Sequence, residues 1–460
     1  MENNQEIIRL ENVSKTFDLR YHKTLRAVDN VSLSLHKGIC TAIVGESGCG
    51  KSTLSKFLYY TFRIANTYEE LVTRDLSNRL SDVTGFIDII QREIFVLSRR
   101  SDSSEYRKAR PSYKHKSISV EDKGHILLLL ENLQEEFLAV ISKDEAKTKT
   151  TQKRIVNILQ NVLRLSEDNS DFPDLMHRLS KKVESAFSVA NTILNSRPVS
   201  LLQNELSEVF ADSTLPKEFE ICEYGDLIIG NKSKSVSIVH AVQNIAYIDT
   251  PMVIGVDTYG PDYWDDLNDV LKRHSLGRNY DQSKSIDAII HSEILQGESK
   301  FEEELYDEKF TFIRDNGAVY DLLECATGVK SFSMLQLMLR SGFLTSNTLL
   351  IVDEPEAHLH PQWIVEYARL IVLLNKEIGV NFLIASHNPD MVSAIKYISE
   401  KEGVDSSLNY YLAEQVDQEK DLYVYKDLGT DINPIFKSFN IALDRIGLYG
   451  ISENSEDEIF

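Results

Sequence analysis

Apolar positions along the chain fall into two textures. Ile7-Ile8-Arg9-Leu10 and Val31-Ser32-Leu33-Ser34-Leu35 alternate with the period of two expected of strands, the second more cleanly. Cys40-Thr41-Ala42-Ile43-Val44 is a nearly unbroken apolar run, as a parallel strand buried on both faces requires. A glycine-rich turn and a helix from about Lys51 to Phe62 follow, and Thr84-Gly85-Phe86-Ile87-Asp88-Ile89 reads as another short strand. After about Leu97 the period lengthens. Ile126, Leu130, Leu133, Phe137 and Val140 share one helical face, as do Ile155, Ile158, Leu159, Val162 and Leu165, with a polar break from Asp168 to Pro173 between the two runs. Strand patterns return at Glu220-Ile221-Cys222, Asp226-Leu227-Ile228-Ile229, Asn244-Ile245-Ala246-Tyr247-Ile248 and Phe310-Thr311-Phe312-Ile313. The stretch from Asp257 to Asp281 reads as polar loop. From Thr345 onward strand, helix and strand succeed one another, which predicts an α/β core. The expected organisation is an α/β head in two pieces, 1–97 and 211–460, with a helical insertion at 98–210. The acidic end from Ser452 to Glu458 reads as frayed.

Composition narrows the function classes. With 460 residues, 42% of them hydrophobic, the chain has material for a large core and more than one domain. A net charge of -21 argues against a globally basic nucleic-acid binder. The four cysteines, Cys40, Cys49, Cys222 and Cys325, form no CxxC pair, which points away from a disulfide framework or a zinc site. The first residues are polar and apolar runs such as Ile126 to Leu130 are too short to span a bilayer, so a cytoplasmic protein without membrane contact is expected.

Three strand-end motifs carry chemistry. Gly45-Glu46-Ser47-Gly48-Cys49-Gly50-Lys51-Ser52 follows a buried strand and opens a helix, the context in which G-x-x-x-x-G-K-S cradles phosphates and a chance glycine turn is disfavoured. Backbone N–H groups there point at phosphate oxygens, and the helix adds the positive end of its dipole. Lys51 would reach the β- and γ-phosphates and the Ser52 hydroxyl would hold Mg²⁺. Leu349-Leu350-Ile351-Val352-Asp353-Glu354 places Asp353 at the carboxyl end of an apolar strand as a second Mg²⁺ ligand, with Glu354 set to orient and deprotonate water. Asn381-Phe382-Leu383-Ile384-Ala385-Ser386-His387 is a further buried strand ending in a histidine, either catalytic or structural.

Together these motifs resemble the ABC ATPase superfamily over the head but not over the insertion. The resemblance implies ATP and Mg²⁺ as ligands, and a parallel P-loop sheet with an antiparallel β subdomain. It assigns Gly45, Ser47, Gly48, Cys49, Gly50, Lys51, Ser52 and Thr53 to the nucleotide cradle, Ser52 and Asp353 to the metal, and Glu354, His387 and Lys51 to catalysis, with His387 on the γ-phosphate. Two copies would close over ATP, each offering the other a signature segment. Its counterpart here is Cys325-Ala326-Thr327-Gly328-Val329-Lys330-Ser331, where Thr327, Gly328 and Lys330 would contact the partner's nucleotide; the plain alternative is a helix N-terminus. Phe17, with Tyr21 as runner-up, would stack on adenine. The glutamine that the family places after one strand is missing, and Tyr247-Ile248-Asp249-Thr250-Pro251 stands there, with Asp249 or Thr250 as its replacement.

The N-terminal stretch alone looks like a transporter ATPase. Asp353-Glu354-Pro355-Glu356-Ala357-His358-Leu359-His360-Pro361 instead resembles non-transporter ATPases related to DNA-repair and overcoming-lysogenization enzymes. His358 and His360 read as a dimer-contacting loop rather than a metal site. The stretch after His387, with Leu408 to Leu412 and Leu422 to Tyr425 as expected last strands, is too short for the nuclease those enzymes append. That combination, and the segment from Gly429 to Asn440, resembles the stand-alone ATPases of Septu-type antiphage operons, also found with some retrons. The resemblance implies a homodimer, or an oligomer of dimers, that regulates a separate HNH-type nuclease. Arg99, Arg100, Arg107, Lys108, Arg110, Lys114 and Lys116, interleaved with Tyr106 and Tyr113, form a basic stretch suited to nucleic acid or a retron nucleoprotein, or else a solvated loop. Asp257, Asp262, Asp265, Asp266 and Asp269 read as an acidic loop, solvated in the plainer reading and metal-binding in the alternative. Two other readings stay open: the ATPase subunit of a membrane transporter, and a repair-type DNA-binding ATPase.

Overall fold

The computed structural model describes residues 6–19, 23–46, 48–100, 118–142, 145–165, 170–209, 219–230, 232–255, 262–273, 280–304, 307–417 and 422–437. The chain divides into two compact units, 1–66 with 199–460, and 67–198. The head unit opens with β1 (Glu6–Leu19), β2 (Lys23–His36), β3 (Cys40–Val44) and α1 (Lys51–Asn66). The helical unit holds α2 (Tyr68–Arg79), α3 (Ser81–Arg100), α4 (Lys123–Ile141), α5 (Glu145–Leu163) and α6 (Phe172–Ser196). The head resumes with α7 (Val199–Val209), β4 (Glu220–Glu223), β5 (Asp226–Gly230), β6 (Asn244–Ile248), α8 (Asp262–Leu271), α9 (Tyr280–Ile289), β7 (Gly297–Glu304), β8 (Asp307–Arg314) and β9 (Val319–Asp321). It ends with α10 (Thr327–Arg340), β10 (Thr348–Asp353), α11 (Pro361–Leu373), β11 (Asn381–Ser386), α12 (Pro389–Glu402), β12 (Leu408–Asp417) and β13 (Leu422–Gly429).

The main sheet of the head runs β13-β12-β3-β11-β10-β6. Its four pairings from β12 to β6 are parallel, and β13 closes one edge antiparallel to β12. Every residue of β3, β10 and β11 is buried, which is why their sequences are continuous apolar runs. β11 lies between β3 and β10, so the three strands that carry the sequence motifs are neighbours pointing the same way. Their carboxyl ends share one edge of the sheet, where open α/β sheets bind ligands. A four-stranded sheet, β2-β1-β4-β5, and a three-stranded one, β7-β8-β9, complete the head, both antiparallel.

Two expectations are corrected. The strand expected from Thr84 to Ile89 is part of the helix α3: Val83, Phe86, Ile87, Ile90, Ile94 and Leu97 are buried at helical spacing, and the short alternation was a fragment of that face. The compact helical unit accordingly spans 67–198 against the expected 98–210. The loop expected from Asp257 to Asp281 contains α8, with Asp262 and Asp265 in the first turn, where carboxylates favour the helix dipole. Within the helical unit Ile126, Leu130, Leu133, Phe137 and Val140 are buried on α4, as their period implies. Asp171 caps α6 by accepting from Asp174 N at 2.9 Å, so the polar break is a helix start. Tyr21, Ser47, Asp257, residues 101–117 of the basic stretch and residues 438–460 lie outside the described residues.

Candidate active site

The turn after β3 needs its glycines for two different reasons. Gly48 and Gly50 both have φ near +89°, which a side chain would strain. At Gly45 the reason is space: a Cβ would come within 2.7 Å of Ala413 Cβ on β12 and 2.9 Å of Cys49 Sγ. Lys51 is buried, and its Nζ donates to the carbonyls of Gly45 and Glu46, both at 2.9 Å, with Cys49 Sγ at 3.6 Å. These acceptors carry only partial charge, so phosphate oxygens would displace them readily. Tyr425 on β13 donates to Cys49 O at 3.1 Å and ties the loop to the edge of the sheet. Burial pushes the Cys49 thiol up, so it stays a thiol. Ser52 and Thr53 stand in the first turn of α1, which contains no acidic residue and so presents an unopposed dipole.

At the end of β10, Asp353 is buried at 7% exposure. Its Oδ2 accepts from Tyr247 OH at 2.7 Å, whereas Oδ1 is buried and meets no donor. A buried carboxylate oxygen without a partner is costly unless a cation or water meets it. Asp353 therefore fits a hard divalent cation such as Mg²⁺, for which Ser52 on α1 would be the hydroxyl ligand. The next residue, Glu354, sits at φ +52°, and its N–H is anchored to Ala385 O on β11 at 2.8 Å. Such backbone persists where the surroundings over-determine it, often at a functional site.

His387, at the end of β11, has Nδ1 3.3 Å from Glu354 Oε1 and 3.5 Å from Glu356 Oε1. Glu354 and His387 are both half-exposed, while the Glu356 side chain is buried. Glu356 Oε1 accepts from the Ser386 hydroxyl at 2.8 Å and from His387 N at 3.0 Å, which fixes the backbone that aims the imidazole. A cavity beside this cluster is lined by Asp249, Pro251, Ser331, Met334, Asp353 and Glu354.

Two stretches of the chain match family profiles: residues 28–205 the "ABC transporter" family and residues 261–393 the family described as "AAA domain, putative AbiEii toxin, Type IV TA system". Among curated proteins the chain is similar to the macrolide export ATP-binding/permease protein MacB 2 of Yersinia pestis, 50% identical over 52 residues, 11% of this chain and 8% of that protein. It is also similar to the oligopeptide transport ATP-binding protein OppF of Streptococcus mutans, 35% identical over 63 residues (14% and 20% of the two chains). With the methionine import ATP-binding protein MetN of Haemophilus influenzae it shares 27% identity over 208 residues, 45% and 51%. It thus spans from 8% to about half of the length of these relatives. Among solved structures a dimeric bacterial ABC transporter cassette aligns with 88% of this chain and 94% of its own, at 10% identity and TM-score 0.35. An SMC head domain from Pyrococcus furiosus aligns with 96% and 98%, at 10% and 0.32. Likeness this low adds no weight to the sheet order and motifs described above.

Asp353, Glu354 and His387 stand at the carboxyl ends of adjacent parallel strands of the head, and the turn from Gly45 to Gly50 leads from the end of the next strand, β3, to Lys51 at the start of α1. The signature segment is arranged differently from expectation. Thr327 opens α10 and is half-buried, but Gly328 faces inward, where a Cβ would collide with Trp363 at 2.1 Å. Lys330 is buried, with Nζ 3.9 Å from Met252 Sδ, so this conformation directs it into its own chain. Phe17 pairs with Leu25 in the β1–β2 ladder. Asp249 accepts from Tyr263 OH at 2.6 Å and Trp264 Nε1 at 2.9 Å, and Thr250 Oγ1 accepts from Met252 N. His360 caps α11, its Nδ1 accepting from Gln362 N, and His358 is exposed. No cluster of metal-ligating side chains and no helix apolar enough to cross a membrane occurs among the described residues. Sequence reasoning gave no role to Tyr247, Glu356 and Tyr425. Nothing in the local pattern of the sequence marked them, and the partners of Glu356 follow from its burial, since a buried Glu is almost always paired.

Proposed function

We propose that the chain is an ATP-hydrolysing ABC-type subunit that homodimerises through nucleotide and regulates a separate HNH-type nuclease in a Septu-like or retron-associated antiphage system. The observation that carries the hydrolytic part is the convergence of Lys51, Asp353, Glu354 and His387 on three neighbouring strand ends. The Gly45 to Lys51 turn and the α1 N-terminus bind the phosphates of ATP. Ser52 and Asp353 hold Mg²⁺, which when bound neutralises charge on the phosphates. Glu354 accepts a proton from the attacking water, and His387, with Nδ1 turned to carboxylates, has Nε2 for a phosphate oxygen. The match of residues 261–393 to the AbiEii-type family favours a defence setting over transport. The inward-facing Gly328 and Lys330 make closure over a second copy's nucleotide dependent on a change at the start of α10.

A second reading is a transporter ATPase, favoured by the match of residues 28–205 and by the transporter names of the relatives. One experiment separates the two. Glu354→Gln, purified with the products of neighbouring genes, lowers ATP turnover by about 10²–10³-fold while retaining ATP and an ATP-dependent dimer on gel filtration. A co-purifying nuclease supports the defence reading, and a co-purifying permease overturns it. Turnover at the wild-type rate removes Glu354 as the base.

A further inference from the structure

The end of β6 carries three polar side chains near the carboxyl end of β10, and Tyr247 is the one that hydrogen-bonds to Asp353. Asp249 is engaged by Tyr263 and Trp264, and the Thr250 hydroxyl accepts from the backbone of Met252. Tyr247, from the strand that pairs with β10, spans to Asp353 Oδ2 at 2.7 Å. Its ring is held on several sides. Tyr263 meets it edge-on at 4.9 Å, Tyr59 lies at 6.0 Å, and Lys56 Nζ sits 5.7 Å from the ring centre. The phenol is 1% exposed. Its hydrogen bond makes the two oxygens of Asp353 unequal: Oδ2 is locked and Oδ1 is left without a donor.

We propose that Tyr247 is a positioning residue that fixes the Asp353 carboxylate in one rotamer, so that Oδ1 alone is presented to the divalent cation of the nucleotide site. This rests on the reading of Asp353 as an Mg²⁺ ligand. A carboxylate free to rotate would offer either oxygen to either neighbour, and part of its affinity for the cation would go into ordering it. A charged group held by a fixed hydrogen bond avoids that cost.

The test uses the full chain with Mn²⁺ as the probe, its binding followed by electron paramagnetic resonance in the presence of ATP, and ATP binding measured separately in EDTA. Tyr247→Phe keeps the ring packing and should weaken Mn²⁺ binding about tenfold while leaving metal-free ATP affinity and the melting transition nearly unchanged. In an Asp353→Asn background the same substitution should have no further effect on Mn²⁺, because the residue it positions is already altered. Tyr59→Phe, which removes a phenol bonded to Asp266 and not to Asp353, should leave Mn²⁺ affinity at the wild-type value. Three results would overturn the proposal: unchanged Mn²⁺ binding in Tyr247→Phe, equal losses of Mn²⁺ and metal-free ATP, or a tenfold loss in Tyr59→Phe as well. Absence of any Mn²⁺·ATP binding by the wild-type chain would overturn the metal-site reading itself, and the role of Tyr247 with it.

Discussion

The head and the helical unit bury different things. Among the described residues of 67–198, the buried polar side chains are Ser98 and Thr148, both small hydroxyls. The head buries Lys51, Glu223, Asp287, Lys330, Asp353 and Glu356. Burying a charge costs several kcal/mol unless it is paired or put to use, so a unit selected for packing alone avoids it. Some of the head's buried charges have structural answers: Asp287 is held by Arg340 at 3.0 Å, and Glu223 accepts from the backbone N–H groups of His240 and Ala241 at 2.7 Å. Asp353 and Glu356 do not, since each keeps one oxygen without a donor. Left-handed non-glycine residues occur in both units, and their settings differ. In the helical unit Arg197 is left-handed as the C-cap of α6, which is ordinary. In the head Glu354 is left-handed directly after β10, at the point where hydrolysis would occur. The lesson is that the site is marked by unanswered charge and held strain, not by hydrophobic pattern.

That contrast can be broken by substitutions on either side of it. The largest effect on stability belongs to the helical unit. Phe137, fully buried and 4.8 Å from the Phe172 ring, should cost about 3–5 kcal/mol when changed to Ala, read by chemical denaturation. ATP affinity should stay at the wild-type value below the transition, and a parallel loss of ATP binding would dissolve the distinction between the units. Glu356→Gln tests the opposite case. The amide oxygen could still accept from the Ser386 hydroxyl and the His387 N–H, but the negative charge 3.5 Å from His387 Nδ1 would be lost, so hydrolysis should fall about tenfold to a hundredfold with little change in melting temperature. Steady-state turnover beside a thermal melt decides it, and a large drop in stability with normal turnover per folded molecule would make Glu356 structural. The smallest effect should come from the exposed Asp75–Arg79 pair on α2, at 2.6 Å. Asp75→Ala there should shift stability by no more than about 0.3–0.5 kcal/mol, an effect that added salt diminishes.

The sequence alone determined the features that depend on neighbours in the chain. The glycine-rich turn, the three apolar strands, Asp353, Glu354 and His387 at their ends, and the buried face of α4 are all set within a few residues or one helical repeat. Even there, six residues were too few to tell a strand from a helix, and Thr84 to Ile89 settled as helix once Val83, Ile90 and Ile94 continued the same face. Only the tertiary structure decided the rest. Tyr247 meets Asp353 across 106 positions, and Tyr425 meets Cys49 across 376, because the order of strands in the sheet makes distant residues neighbours. Gly328 reads as a signature glycine by position, yet its lack of a side chain is what admits Trp363. Periodicity reports which face of an element is buried, whereas a hydrogen bond between strand ends depends on register and crossover, and those are fixed only when the whole sheet has closed.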